Sequence, residues 1–252
     1  MSLAAYQDAY LRLMLYPRDR EDWYAGNLPL LGLTPAEEAA LRALPRERLE
    51  AISSSVNLGR ISVFIATVPA TLKLLLDPEK LAQWAEIYAH QYPLAGVYPR
   101  ETAMAPWLAF LAAQIEQPHI LDVIVYEQAR LGLSYYRKPQ PLHEGLRLSS
   151  RATIFVAGPH LPQILQALWH EQLPSLEGPI EPRQGYLLWQ GPQIPELMPI
   201  HWALYWILNR LGGLGNWAQW LEQLITEHPE VEDQRATLQA WEPWLRTRYL
   251  LE

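Results

Sequence analysis

The chain of 252 residues contains no cysteine. That excludes a disulfide framework, a thiolate nucleophile and a zinc ribbon. Long apolar runs are missing too. The nearest approach, ISVFIATVPATLKLLL, is broken by Pro69 and Lys73, so no transmembrane helix is expected and no membrane partner follows. The opening MSLAAYQDAYLRLMLYPRDRED lacks the basic start, apolar stretch and small-residue cleavage site of a signal peptide. Together these absences favour the cytoplasm. Positive charge is scarce as well: 20 Lys and Arg stand against 27 Asp and Glu, a net charge of −7, which weighs against a general nucleic-acid binder. Phenylalanine occurs only 3 times, whereas there are 11 Trp and 13 Tyr. Trp and Tyr join a large contact area to a polar tip and are enriched at interfaces. The plain alternative is that they close the core.

Catalytic signatures are absent from the same inventory. His90, His119, His143, His160, His170, His201 and His228 form no HxxxH, HExxH or facial-triad spacing, so no metal site is expected. There is no GxSxG, no Walker loop and no GxGxxG. Ser53, Ser54 and Ser55 have no base nearby in sequence. The expectation is therefore a chain with no catalytic residue and no cofactor.

What is present is mostly helical patterning. AAYQDAYLRLML reads as a helix stopped by Pro17, followed by an irregular DREDWYAGNLPLLGL. In TPAEEAALRAL, Thr34 is an N-cap, Pro35 takes the first helical position and Glu37 completes a capping box. RERLEAISSSVNLGRISVFIATV reads as one long helix, bent near Ser53–Ser55 or Gly59. After Asp77-Pro78, a helix places Leu81, Trp84, Ala85 and Tyr88 on one face. Trp107, Leu108, Leu111, Ala112 and Ile115 form the next apolar stripe. Beyond Pro118, Ile120, Ile124, Glu127 and Leu131 follow at near-helical spacing. Glu127 thus lies on or beside an apolar face, as Arg60 does on its own helix. Each is costly to bury alone, so a structural Arg60–Glu127 pair is expected.

RKPQPLHEG, residues 137–145, has the composition of a linker. It divides a helical domain, 1–138, from a smaller α+β domain, 146–252. In the second, RATIFVAG alternates as a strand, HLPQILQALWHEQ is an amphipathic helix, GYLLWQG is a second strand, and QIPELM is a candidate for a short third. The tail, HWALYWILNRLGGLGNWAQWLEQLITEH, has helix-turn-helix form. Its second helix carries Glu222 and Glu227 and neither Lys nor Arg from Asn216 to His228. From Gln140 onward there are 7 Lys and Arg against 12 Asp and Glu. A phosphate-binding surface needs the opposite sign.

TVPATLKLLLDPEKLAQWAEIYAHQYP, FLAAQIEQPHILDVIVYEQARL, LRLSSRATIFVAGPHLPQILQALW, GYLLWQG and WALYWILNRLGG, in that order, resemble the HvfC-like proteins. That family is catalogued under a DNA-binding domain and supplies partner proteins of multinuclear non-haem iron-dependent oxidases that modify ribosomally made peptides. The likeness runs roughly from Val56 to Leu224. It implies a helical domain followed by a winged-helix-like domain that recognises a precursor peptide. DWYAGNLPLLGLTPAEEAALRALPRERLEAI departs from that pattern and is similar to the helical small subunit of extradiol ring-cleaving dioxygenases, or to leader-like helical segments.

Three readings follow. In the preferred one the chain is a non-catalytic adaptor. It binds the oxidase through Trp84, Tyr88 and Tyr92, and holds an extended precursor peptide against a sheet edge at Thr153, Phe155, Tyr186, Leu188 and Trp189. Either strand, 151–156 or 186–189, could supply that edge. Phe155, Tyr186 and Trp189 could equally close the core. The alternatives are a DNA-binding transcriptional regulator and an accessory subunit of a ring-cleaving dioxygenase.

Overall fold

A computed structural model describes residues 3–29, 32–92, 100–135, 146–191, 194–212 and 215–251. In chain order the elements are α1 (Leu3–Leu15), α2 (Pro17–Tyr24), α3 (Pro35–Arg42), α4 (Arg46–Thr67), α5 (Ala70–Leu75), α6 (Pro78–Gln91), α7 (Arg100–Gln114) and α8 (Pro118–Tyr135). They continue with β1 (Ala152–Ala157), α9 (Leu161–Trp169), β2 (Gln184–Gln190), β3 (Pro195–Ile200), α10 (Trp202–Leu208), α11 (Trp217–Glu227) and α12 (Arg235–Thr247). The protein is mostly helical, with one small antiparallel sheet among helices in its C-terminal half. Among the described residues no helix is long and apolar enough to cross a membrane.

Helix starts follow local chemistry. The Glu37 N–H donates to Thr34 Oγ1 while the Thr34 N–H donates to Glu37 Oε2, which closes the expected capping box. Asp77 accepts from the N–H groups of Glu79 and Lys80, with Pro78 at the first helical position. Asn216 and Gln219 form a second reciprocal cap on α11. Pro17 both ends α1 and opens α2, so Asp19–Tyr24 is helical where an irregular stretch was expected. α4 runs through Ser53–Ser55 and Gly59 as one helix of 22 residues.

By its contacts the chain divides into two units, Met1–Val68 with Leu76–Phe110 and Pro69–Leu75 with Leu111–Glu252. The expected linker, 137–145, lies outside the described residues. The division by contacts falls earlier than that linker, so α8 belongs with the C-terminal unit. In the first unit Ala9, Leu13, Trp23 and Leu41 form one core cluster. α4 packs on α6, and there Phe64, Tyr88, Trp107 and Phe110 make a ring cluster with centroids 4.9–5.6 Å apart. Such pairs contribute roughly 0.5–1.5 kcal/mol each beyond the area they bury.

In the second unit the strand order is β1-β2-β3, antiparallel throughout. Alternation places Ala152, Ile154, Leu187, Trp189, Met198 and Ile200 on one face, where they pack with Ala203, Leu204, Ile207, Trp217, Leu221, Leu224, Leu238 and Leu245 of α10–α12. On the opposite face Phe155 and Tyr186 stack at 5.6 Å, and Tyr126 of α8 meets Phe155 edge-on. Helices therefore cover the middle of the sheet on both sides. That is why Gly185–Leu188 is buried without interruption.

Candidate peptide-binding edge

The register decides which backbone groups are free. The Gln190 N–H donates to Arg151 O at 2.8 Å, which turns the even-numbered residues of β2 toward β1. Gly185, Leu187 and Trp189 then bond β3 through Ile200, Met198 and Glu196. The outward side of β3 is left to Pro195, Leu197 and Pro199. Both prolines lack an N–H, and Pro199, inside the strand, suits an edge position. Leu197 alone presents an outward N–H. All three present outward carbonyls.

The other edge is partly occupied. On β1 the outward groups belong to even-numbered residues. The Ala152 N–H donates to Ser149 O, and Val156 O accepts from Arg183 Nη2 at 3.3 Å. The Gly158 N–H, just past the strand, donates to Asp122 Oδ2 of α8 at 2.8 Å. α8 itself packs against β1, on the face that carries Phe155. Of the two edges, β3 is the one whose outward groups meet no hydrogen-bond partner among the described residues.

This arrangement corrects the expected peptide site. β2 is the central strand and cannot be an edge. Leu188 is 0% exposed and Tyr186 1%, and the Tyr186 hydroxyl donates to Gly158 O at 2.9 Å. Burial, reinforced by the nearby Asp122 charge and opposed by Arg183, pushes the Tyr186 phenol up to about 12. Phe155 is 7% exposed, held between Tyr126 and Tyr186. These three residues close the core. Thr153 and Trp189 are half-buried, and Trp189 meets Trp244 of α12 edge-on at 6.0 Å. Neither lies on β3. Sequence reasoning missed Leu197, although the signal was present: PELMP sets two prolines four residues apart, both on the same side of a strand.

In the helical unit Tyr88 is 2% exposed and belongs to the ring cluster, which corrects its expected interface role. Trp84 is half-buried. Tyr92, just past α6, is exposed and lies 4.7 Å from Tyr88. Ile87, one turn from Trp84 and Gln91, is exposed as well. Trp84 and Tyr92 are thus the accessible part of the surface expected to meet a partner, and the exposed Ile87 adds to it.

The expected Arg60–Glu127 pair is replaced by separate arrangements. Arg60 of α4 donates to Ala89 O at 2.9 Å, to Tyr92 O at 2.6 Å and to Asn57 Oδ1 at 2.9 Å. A cation at the last carbonyls of α6 satisfies orphan acceptors and complements the helix dipole. Burial lowers the Arg60 pKa, with Tyr16 acting in the opposite direction. Glu127 of α8 has both oxygens occupied within the second unit. Thr71 Oγ1 donates to Oε1 at 2.6 Å and Arg130 Nε to Oε2 at 2.7 Å. An apolar position told us that each charge needed a partner but not which one.

A third buried ion, Asp122, was not singled out from sequence. Its Oδ1 lies 2.8 Å from Arg183 Nη2, close enough for an ion pair though not aligned as a hydrogen bond. Among the described residues no three of His, Asp and Glu gather in a way that could hold a metal ion. On α11, Glu222 pairs with Arg235, and Glu227 lies 3.9 Å from Arg210.

No protein-family model and no curated protein matches this chain.

Proposed function

We propose that the chain is a non-catalytic cytoplasmic adaptor that presents a ribosomally made precursor peptide to a multinuclear non-haem iron-dependent oxidase. The observation that carries this reading is the outer edge of β3, where Pro195, Leu197 and Pro199 leave backbone groups unpaired. An extended peptide adds there as a fourth strand, in a winged-helix-like setting of sheet and C-terminal helices. The resemblance to the HvfC-like proteins supplies the identity of the partners. The oxidase meets the helical unit at Trp84, Ile87 and Tyr92, where Tyr92 is 51% and Ile87 43% exposed. Aromatic anchors at such surfaces contribute roughly 2 kcal/mol or more when they become buried.

The DNA-reading alternative loses support at α11. The helix that would enter the groove carries Glu222 and Glu227 and no Lys or Arg.

The test is calorimetric titration of the purified chain with an oxidase and a precursor peptide encoded in neighbouring reading frames, each alone. Both are expected to bind. Tyr92→Ala is expected to weaken the oxidase complex and leave the peptide affinity unchanged. Binding of neither partner refutes the reading.

A further inference from the structure

The edge of β3 has an unequal inventory. Between residues 195 and 199 it offers three outward carbonyls but one outward N–H, that of Leu197, because the other two outward positions are proline. A strand laid antiparallel on it can make four hydrogen bonds. Three are N–H groups of the incoming chain donating to the carbonyls of Pro195, Leu197 and Pro199. The fourth is the Leu197 N–H donating to the incoming carbonyl opposite it.

A second copy of the same edge cannot reach that number. With Leu197 opposite Leu197, the two central residues exchange two hydrogen bonds. Pro195 then faces Pro199, acceptor against acceptor, with no donor on either side. Shifting the register by two residues puts Leu197 opposite a proline on each side and again leaves two bonds. The edge is therefore poor at pairing with itself and well matched to a chain that supplies donors.

The side chains add a second condition. Residues directly opposite one another share a face of the sheet. The three donating residues of an antiparallel guest thus lie beside Pro195, Leu197 and Pro199, an apolar row. The two residues between them lie beside Glu196 and Met198. Pro195 and Leu197 are half-buried, and Pro199 is exposed.

Resting on the adaptor reading, we infer that β3 selects an antiparallel peptide segment with apolar residues at three alternate positions, each with a free N–H. Proline is excluded at those three positions and tolerated between them. The same two prolines of β3 keep the protein from joining edge to edge with a second copy.

The test uses the full chain and a displayed library of random linear peptides. The selected peptides are expected to share apolar, non-proline residues at three alternate positions. In a synthetic binder, N-methylation at any of the three should weaken affinity by about fivefold or more, the loss of one hydrogen bond with a methyl group added in its place. N-methylation at the two intervening positions should change it little. Leu197→Pro removes the last outward N–H without touching the bonds to β2, so it should weaken the same peptide by a similar factor while circular dichroism is unchanged. Pro195→Val with Pro199→Val restores two donors and should give a concentration-dependent dimer on sedimentation. A flat N-methyl scan, or sensitive positions out of phase with the apolar ones, overturns the inference and leaves the adaptor reading standing. A library that yields no binder overturns it as well. Failure of both the oxidase and its precursor to bind, in the titrations above, sinks the adaptor reading itself.

Discussion

Thr71 and Glu127 offer the sharpest test of how the C-terminal unit holds a buried charge. The Glu127 side chain is 2% exposed, and the Thr71 hydroxyl donates to it at 2.6 Å from α5. Its other oxygen takes Arg130, whose side chain is 38% exposed. A hydrogen bond to a charged group contributes about 1.5–3 kcal/mol when buried, whereas an ion pair with a solvated partner contributes about 1 kcal/mol at most. The hydroxyl therefore outweighs the guanidinium. Thr71→Val removes the donor at nearly constant shape and should cost about 2 kcal/mol. Glu127→Leu leaves the Thr71 hydroxyl buried without its acceptor, a penalty of about 1–3 kcal/mol. The double variant removes both polar groups and should be far less destabilised than the sum, giving a coupling energy of about 2 kcal/mol. Urea unfolding of all four proteins, followed by circular dichroism and tryptophan fluorescence, measures it. A second cycle, Arg60→Met with Glu127→Leu, should be additive within about 0.5 kcal/mol because the two groups have separate partners. A Thr71–Glu127 coupling below about 0.5 kcal/mol would refute this reasoning. So would an Arg60–Glu127 coupling above about 1 kcal/mol.

Other outcomes follow from the same packing. Gly158→Ala would place a Cβ 2.6 Å from Asp122 Oδ2, so it should destabilise by roughly 1–3 kcal/mol, and Asp122→Ala in the same chain should recover part of that loss on thermal unfolding. Burial raises the phenols of Tyr126 and Tyr186 to about 12, against an ordinary value near 10. The unfolded chain thus loses those protons first, and stability present below pH 10 should fall as pH rises toward 12. Tyr186→Phe should flatten that decline in a pH series of denaturant midpoints, while costing about 1 kcal/mol at neutral pH for the lost bond to Gly158 O. After extensive dialysis, elemental analysis of the isolated chain should find no stoichiometric iron or zinc.

Features set by neighbouring residues were legible from the sequence. The capping box at Thr34 depends on a residue three positions away, so the order of letters contains the whole interaction. The amphipathic faces of α6 and α9 were legible for the same reason: Leu81, Ala85 and Tyr88 are buried together, as are Leu161, Ile164, Leu165 and Leu168. Two kinds of information were not. Alternation along a strand shows which residues share a face but not whether the other face is open. Phe155 and Tyr186 were expected to line a surface, yet α8 covers them. The partner of a buried charge is a long-range fact as well. Arg60 finds carbonyls 29 and 32 residues away, and Glu127 finds a hydroxyl 56 residues away. The free edge lay between these cases, because the spacing of Pro195 and Pro199 marks it once the strand is accepted as one.

Asp122, Gly158 and Arg183 come from α8, the turn after β1 and the approach to β2, and each makes sense only beside the other two. A side chain at 158 would strike the carboxylate, the carboxylate without Arg183 would be a lone buried charge, and Arg183 without the carboxylate would keep only a carbonyl. Evolution therefore has few single steps away from this arrangement. In sequences descended from a common ancestor, the three positions should be inherited or replaced as a set. Their joint presence would be a better mark of shared descent than the aromatic residues that first draw the eye.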